Sequence, residues 1–298
     1  MDKLEHIISD IRGVFDTLGE HTSLDEMRQK LDRLFGSGVR DDSIRHDSVE
    51  FGRSGGELMA ADASPEGAPT VLYLHGGGYA VCSIESHRDL CERLAKAVEG
   101  RVLAVDYRLA PENPYPAALD DALAGYEWLL REGYPAGSIA IAGDSAGGGL
   151  AVATALAIKE RGLPLPGCVA VMSPWVDLEL KGASMDERAD VDPIVERAAL
   201  ENWVACYTPT ADVTNPFISP LHGDFSGFPP LLVQVGGREA LYDDATRLVE
   251  RAKQAGVDAK LQSFPEQIHV FQIFGYRLEA ARAAISDLGD FIRERVVA

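Results

Sequence analysis

Gly143-Asp144-Ser145-Ala146-Gly147 sets a serine between two glycines, directly after the apolar run Ile139-Ala140-Ile141-Ala142 and before the Ala- and Leu-rich stretch from Leu150 to Arg161. Strand, sharp turn and helix in that order make a nucleophile elbow, which presents a hydroxyl at the head of a sheet. The turn is too tight for neighbouring side chains, so Gly143 and Gly147 have a steric reason to be glycine. With 29 glycines in 298 residues, the pentapeptide alone also fits an ordinary glycine-rich turn. A serine hydroxyl is a poor nucleophile until a base takes its proton, and the oxyanion it creates needs hydrogen-bond donors. Partners must therefore be sought elsewhere in the chain.

The donors are expected in His75-Gly76-Gly77-Gly78-Tyr79, which follows the apolar run Val71-Leu72-Tyr73-Leu74. Three glycines leave backbone N–H groups uncovered, so Gly77 and Gly78 are the expected oxyanion donors, with the amide of Ala146 as the third. A phosphate loop is the competing reading, but neither GK[ST] nor GxGxxG spacing is present. Two histidines follow Ser145 in the chain. His222 lies in a long irregular connection after Ser219-Pro220-Leu221, whereas His269 follows the last expected strand, as the order serine, acid, histidine requires. His269 is thus the candidate base, the alternative being a helix-capping histidine. The acid belongs in the loop after Leu231-Leu232-Val233-Gln234-Val235, where Glu239 stands nearest the strand end. Asp243 is the second candidate; it and Asp244 stand where a helix begins and suit a cap and a first-turn acid.

The elements that would position these groups can be read from hydrophobic periodicity. Apolar runs at 71–74, 102–105, 139–142, 168–172 and 231–235 read as buried strands and the more polar 260–264 as a candidate last strand; they alternate with helices at 87–99, 117–132, 150–161, 243–255 and 278–296, predicting an α/β fold around a mostly parallel sheet covered on both faces. Two regions break the pattern. Leu4, Ile7, Ile8, Ile11, Val14, Phe15 and Leu18 repeat at helical spacing, as do Leu24, Met27, Leu31, Leu34 and Phe35, with Ser23 and Glu26 placed as a capping box. More than fifty residues separate Met172 from Leu231, far more than a βα connection needs, with two helical stretches expected around Asp192 to Tyr207. The insertion reads as a lid that folds with the N-terminal helices.

A formal net charge of −19 disfavours nucleic-acid binding and favours neutral over anionic substrates. No apolar stretch approaches the roughly 20 residues needed to cross a bilayer, and Met1-Asp2-Lys3-Leu4-Glu5 leads into no apolar signal segment, so a cytoplasmic location without membrane attachment is expected. Cys82, Cys91, Cys168 and Cys206 form no CxxC pair and read as small buried hydrophobes, although Cys82 and Cys91 are near enough in sequence to raise a disulfide.

The glycine run at 75–79, Asp106-Tyr107-Arg108-Leu109-Ala110-Pro111-Glu112 with Pro114-Tyr115-Pro116-Ala117-Ala118, and Gly143 to Gly148 together resemble the hormone-sensitive-lipase-like family of α/β-hydrolases. The resemblance implies an eight-stranded α/β-hydrolase core of residues 46–175 and 226–298, with a helical cap built from 1–45 and 176–225. It implies a serine carboxylesterase acting on small, neutral, short- to medium-chain esters through an acyl-enzyme, with Ser145, His269 and Glu239 as its triad and Gly77, Gly78 and Ala146 as oxyanion donors. Neither metal nor organic cofactor is implied, and a homodimer is. Many members carry an aspartate in a DPLRD-like segment; Arg238 to Asp243 aligns with it so that Glu239 takes the acid's place and the proline is lost. Amide, thioester, lactone or carbamate hydrolysis would use the same machinery, and plant gibberellin receptors resemble the family without its catalytic histidine. The presence of His269 separates this chain from those receptors.

Overall fold

The computed structural model describes residues 2–19, 21–61, 64 and 67–296. One sheet holds β1 (Ile44–Phe51), β2 (Ser54–Ala61), β3 (Thr70–Leu74), β4 (Arg101–Asp106), β5 (Ile139–Asp144), β6 (Cys168–Met172), β7 (Leu231–Gly236) and β8 (Ala259–Phe264), in the spatial order β1-β2-β4-β3-β5-β6-β7-β8. β2 is antiparallel to both of its neighbours, and the pairs from β4 across to β8 are all parallel. The helices are α1 (Lys3–Phe15), α2 (Leu24–Phe35), α3 (Ile84–Ala97), α4 (Ala117–Arg131), α5 (Ser145–Glu160), α6 (Ser184–Glu187), α7 (Arg197–Tyr207), α8 (Tyr242–Gln254) and α9 (Glu279–Arg295).

Residues of the central strands point alternately to two cores, as the period of two demands. Leu72, Leu103, Ile141, Val169 and Val233 pack with α4, α5 and α8 on one face, while Val71, Val102, Ala140, Ala170 and Leu232 pack with α3 and α9 on the other. This double burial explains why the middles of these strands are almost wholly apolar, the buried Gln234 of β7 excepted. Six strands stand within a residue or two of their expected positions. The hairpin β1–β2 gave no such signal, because its exposed and glycine-bearing segments, IRHDSVEF and SGGELMAA, lack an apolar run.

α5 begins at Ser145 rather than at Leu150. Gly147, Gly148 and Gly149 are poor helix formers, but tertiary contacts override propensity: a Cβ on Gly148 would lie 3.0 Å from Pro174 and one on Gly149 2.1 Å from the Trp175 carbonyl oxygen. In the insertion the helical content differs from expectation, since one helix, α7, spans 197–207 and the second element is the single turn α6. Between them, Asp192 Oδ1 accepts from the N–H groups of Ile194 and Val195 around Pro193, which makes a turn. Ser23 caps α2 by accepting from Glu26 N–H at 3.2 Å. The Glu26 side chain pairs with Lys30 instead of closing the expected box. All four cysteines are free, so Cys82 and Cys91 form no disulfide. Among the described residues no helix is long and apolar enough to cross a membrane.

Candidate active site

Ser145 has φ of 51°, in the left-handed region that a side chain normally avoids. Its neighbours are constrained by backbone alone: a Cβ on Gly143 would approach the Gly147 carbonyl oxygen to 2.4 Å, and one on Gly147 would approach those of Leu74 and His75 to 2.1 and 2.2 Å. The strained serine stands at the carboxyl end of β5 and forms the first residue of α5. Near it lie the unpaired N–H groups and positive dipole end of that helix, Ala146 being its second residue.

Ser145 Oγ donates to His269 Nε2 at 3.0 Å, and His269 Nδ1–H donates to Glu239 Oε1 at 3.3 Å. The tautomer follows from the network, because the carboxylate can only accept. Glu239 Oε2 is held in turn by Gly236 N–H and by the Ser173 hydroxyl, each at 2.8 Å, while the same hydroxyl accepts from Val270 N–H at 3.1 Å. Ser173 thereby joins the loop of the acid to the loop of the histidine. Burial alone would push the His269 imidazolium down, but the hydrogen bond and charge of Glu239, helped by Asp192 and Asp144, hold its pKa above the ordinary histidine value.

Structure thus brings together Ser145, His269 and Glu239, three residues distant in sequence, and it leaves the rivals elsewhere. Asp243 Oδ2 accepts from Ser184 N–H at 3.0 Å, and Asp244 Oδ2 accepts from the N–H groups of Val176 and Asp177 at 2.8 and 2.9 Å. Both stand in the first turn of α8, yet neither caps it; their carboxylates turn outward to hold the insertion. Burial pushes the Asp244 carboxyl up to about 7, against the two amides, with the charge of Asp177 adding to the rise. His222 pairs with Glu179 at 3.0 Å. Asp177, Glu179 and His222 are close enough to share a cation, but Asp177 is paired with Arg247 and Glu179 with Lys181, and none of the three borders the serine's cavity.

Gly77 and Gly78 border the same cavity as Ser145 and His269, with φ of 109° and 59°. A Cβ on Gly77 would lie 2.1 Å from the Val81 carbonyl oxygen, so the loop's path requires glycine. Asp144 ties this loop to the elbow: its Oδ1 accepts from Tyr73 Oη at 2.6 Å and Gly76 N–H at 3.1 Å, and its Oδ2 lies 3.2 Å from His87 Nε2. Burial opposes the charges of both partners, yet their attraction raises the His87 pKa and lowers that of Asp144. His75 is pushed down to about 3 by burial and then by His87, and is therefore neutral.

The motif Tyr107 to Glu112 braces the loop from behind. Tyr107 stacks on His75 and donates to its carbonyl at 2.8 Å, Arg108 forks onto Asp121, and both Glu112 oxygens receive Arg28 of α2 at 2.8 Å. Arg28 also donates to the carbonyls of Ala80 and Ala110. Glu112 and Asp144 thus anchor their loops.

The cavity has a volume of about 410 Å³ and is walled by Phe15, Met27 and Leu31 from the N-terminal region and by Ile194, Leu200 and Trp203 from the insertion. Ile194 and Trp203 also pack against the cluster that Leu4, Ile7, Ile8 and Ile11 of α1 share with Val81, Val270 and Phe271, so the two regions that break the sheet pattern border one cavity and one cluster. Sequence reasoning passed over Ser173, whose position at the carboxyl end of β6 is a usable signal, and Asp192, marked by its Asp-Pro turn. It also passed over His87, for which no local signal exists.

Strand order, elbow and the row of serine, histidine and carboxylate are those of an α/β-hydrolase. A family model described as alpha/beta hydrolase fold matches residues 71–273. An acetyl-hydrolase of Streptomyces hygroscopicus is 44% identical over 224 residues, covering 75% of each chain, and an esterase of Acinetobacter venetianus is 34% identical over 89% of this chain and 87% of its own. Among solved structures, an esterase from the bacterial hormone-sensitive lipase family superposes with a TM-score of 0.95 at 40% identity, covering 99% of this chain and 98% of that one. The chain belongs to the hormone-sensitive-lipase-like family of α/β-hydrolases.

Proposed function

We propose that this chain, a carboxylic ester hydrolase by family and site, cleaves small, neutral esters of short to medium acyl chains through an acyl-enzyme on Ser145. The observation that carries the reading is the 3.0 Å hydrogen bond from Ser145 Oγ to His269 Nε2 at the cavity wall, with Glu239 on the far ring nitrogen. His269 takes the serine proton as Oγ adds to the ester carbonyl, and Glu239 stabilises the imidazolium. The amides of Gly77, Gly78 and Ala146 receive the oxyanion. His269 then gives its proton to the leaving alcohol, and a water activated by the same imidazole releases the acid. The apolar walls suit an uncharged acyl chain, and the carboxylates of Asp16 and Glu196 bordering the cavity would repel an anionic ester.

In this reading residues 1–45 and 176–225 form a cap over a core of 46–175 and 226–298, supported by the contribution of α1, α2 and α7 to the cavity and its packing. It extends to a cytoplasmic location, which free cysteines fit, and to a homodimer through β8 and α9, β8 being an edge strand. A panel of p-nitrophenyl esters from acetate to palmitate, beside an amide and a thioester, should give its highest kcat/KM at the short to medium esters. Ser145→Ala should lose about 10⁴-fold or more of that turnover; retention of wild-type turnover would overturn the reading. Light scattering in solution tests the dimer.

A further inference from the structure

Trp203 and Tyr207 stand one turn apart on α7 and so share a face. That face lies on Gly78 and Tyr79, the two residues that end the glycine run. A Cβ on Gly78 would fall 2.7 Å from Trp203 Cδ1, so the indole occupies the space beside this glycine. Tyr207 lies flat on Tyr79, with 3.8 Å between ring centroids and 3° between planes. Trp175 flanks Tyr79 at 6.1 Å. Tyr207 is buried, and its hydroxyl has no hydrogen-bond partner among the described residues. A buried phenol is costly to leave unpaired, so the ring rather than the hydroxyl is the part that the packing uses.

Glycine pairs have the widest conformational range of any dipeptide, and an oxyanion donor displaced by a fraction of an ångström loses much of its effect. Asp144 fixes Gly76, and the amides of Ala80 and Val81 close onto the Gly77 carbonyl. Past that point the loop is held through Tyr79, whose carbonyl accepts from Ala110 N–H at 2.8 Å and whose ring is covered by Tyr207. The end of α7 is itself fixed, because the Tyr207 carbonyl accepts from Tyr115 N–H at 2.8 Å.

We propose that Tyr207 is a positioning residue for the oxyanion loop, its ring stacked on Tyr79 holding the Gly77 and Gly78 amides in place. The inference rests on the reading that these amides receive the oxyanion. The insertion then governs turnover as well as substrate entry.

The test compares Tyr207→Leu with Tyr207→Phe. The first removes the aromatic face; the second keeps it and deletes only the unpartnered hydroxyl. Tyr207→Leu should lower kcat for p-nitrophenyl acetate about 10- to 100-fold with KM within about twofold. It should weaken a trifluoromethyl ketone, which adds Ser145 Oγ to form a hemiketal oxyanion, by the same factor. Tyr207→Phe should restore both. If Tyr207→Leu fails to unfold cooperatively, Tyr207→Met, which fills the volume without a ring face, takes its place. Unchanged kcat and ketone affinity in a folded variant would overturn the proposal, as would equal losses in the phenylalanine variant. Titration of the wild-type protein with diethyl p-nitrophenyl phosphate separates the two readings: failure to release one equivalent of nitrophenol, or retention of that release in Ser145→Ala, sinks the assignment of Ser145 itself.

Discussion

Around Ser145 the backbone leaves no room for a second arrangement, since Gly143, Gly147 and Gly77 are each packed against carbonyl oxygens at 2.1 to 2.5 Å from where a Cβ would stand. The insertion and the N-terminal helices are held differently: Asp243 and Asp244 of α8 lend carboxylate oxygens to amides of the insertion, Asp192 of the insertion lends one to Ala240 N–H, and Arg28 fastens α2 through hydrogen bonds at its tip. The elbow is fixed by what is missing from its side chains, the other segments by what side chains reach across the seam. Steric exclusion fails all at once, whereas a hydrogen-bonded clasp loosens by degrees and with pH.

The sharpest way to break this contrast is Gly147→Ala. A methyl group there cannot fit without moving β3 or the elbow, so turnover should vanish and urea unfolding should show a loss of more than about 3 kcal/mol. A folded, active Gly147→Ala would end the steric argument. Next in size, Glu239→Ala should cost about 10⁴-fold in kcat, while Asp243→Ala stays within a few-fold. The residual activity of Glu239→Gln adds a pH signature. In the proposed mechanism turnover needs neutral His269, so wild-type kcat/KM should fall as pH drops through the raised pKa of that histidine. Loss of the Glu239 charge should move this acid limb to lower pH.

Asp244→Asn sharpens the other side of the comparison. Asp244 has its folded pKa raised to about 7, above the ordinary carboxylate value, so the native state holds a proton that the unfolded chain has released. Its contribution is fully present below about pH 4 and is lost as pH rises through about 7, with a slope no steeper than about 1.4 kcal/mol per pH unit. The asparagine oxygen can still accept from Val176 and Asp177. Denaturation midpoints of the variant should therefore gain on the wild type between pH 4 and 7.5; parallel curves would refute the assignment. Smallest of all, Arg28→Met should raise KM a few-fold with kcat nearly unchanged, because the Arg28 and Glu112 side chains are partly exposed and their pairing is screened. A large fall in kcat would show that α2 does more than shape the cavity.

What could be read in the chain divides along the same line. Gly143, Gly147 and the apolar strands were legible because a steric or hydrophobic requirement acts on each residue where it stands. Nearness to the strand end favours Glu239 over Asp243 as the acid, but what separates the two is not local: it is Ser173, 66 residues before Glu239, and the carboxylate that the insertion claims. β1 and β2 were invisible for a similar reason: pairing with β4, not internal pattern, makes SGGELMAA a strand. The clasp of Arg28 on Glu112 spans 84 positions and leaves no local trace.

Asp192 belongs to the insertion, yet its Oδ2 accepts from Ala240 N–H at 2.8 Å, one residue beyond Glu239. The segment that walls the cavity beside Ser145 thus also grips the loop that carries Glu239. A chimaera that borrowed this segment from a relative, in the hope of importing its substrate range, would import a new hold on the acid as well. Such a graft should be judged first on turnover of the smallest ester, where pocket shape matters least, and only then on selectivity.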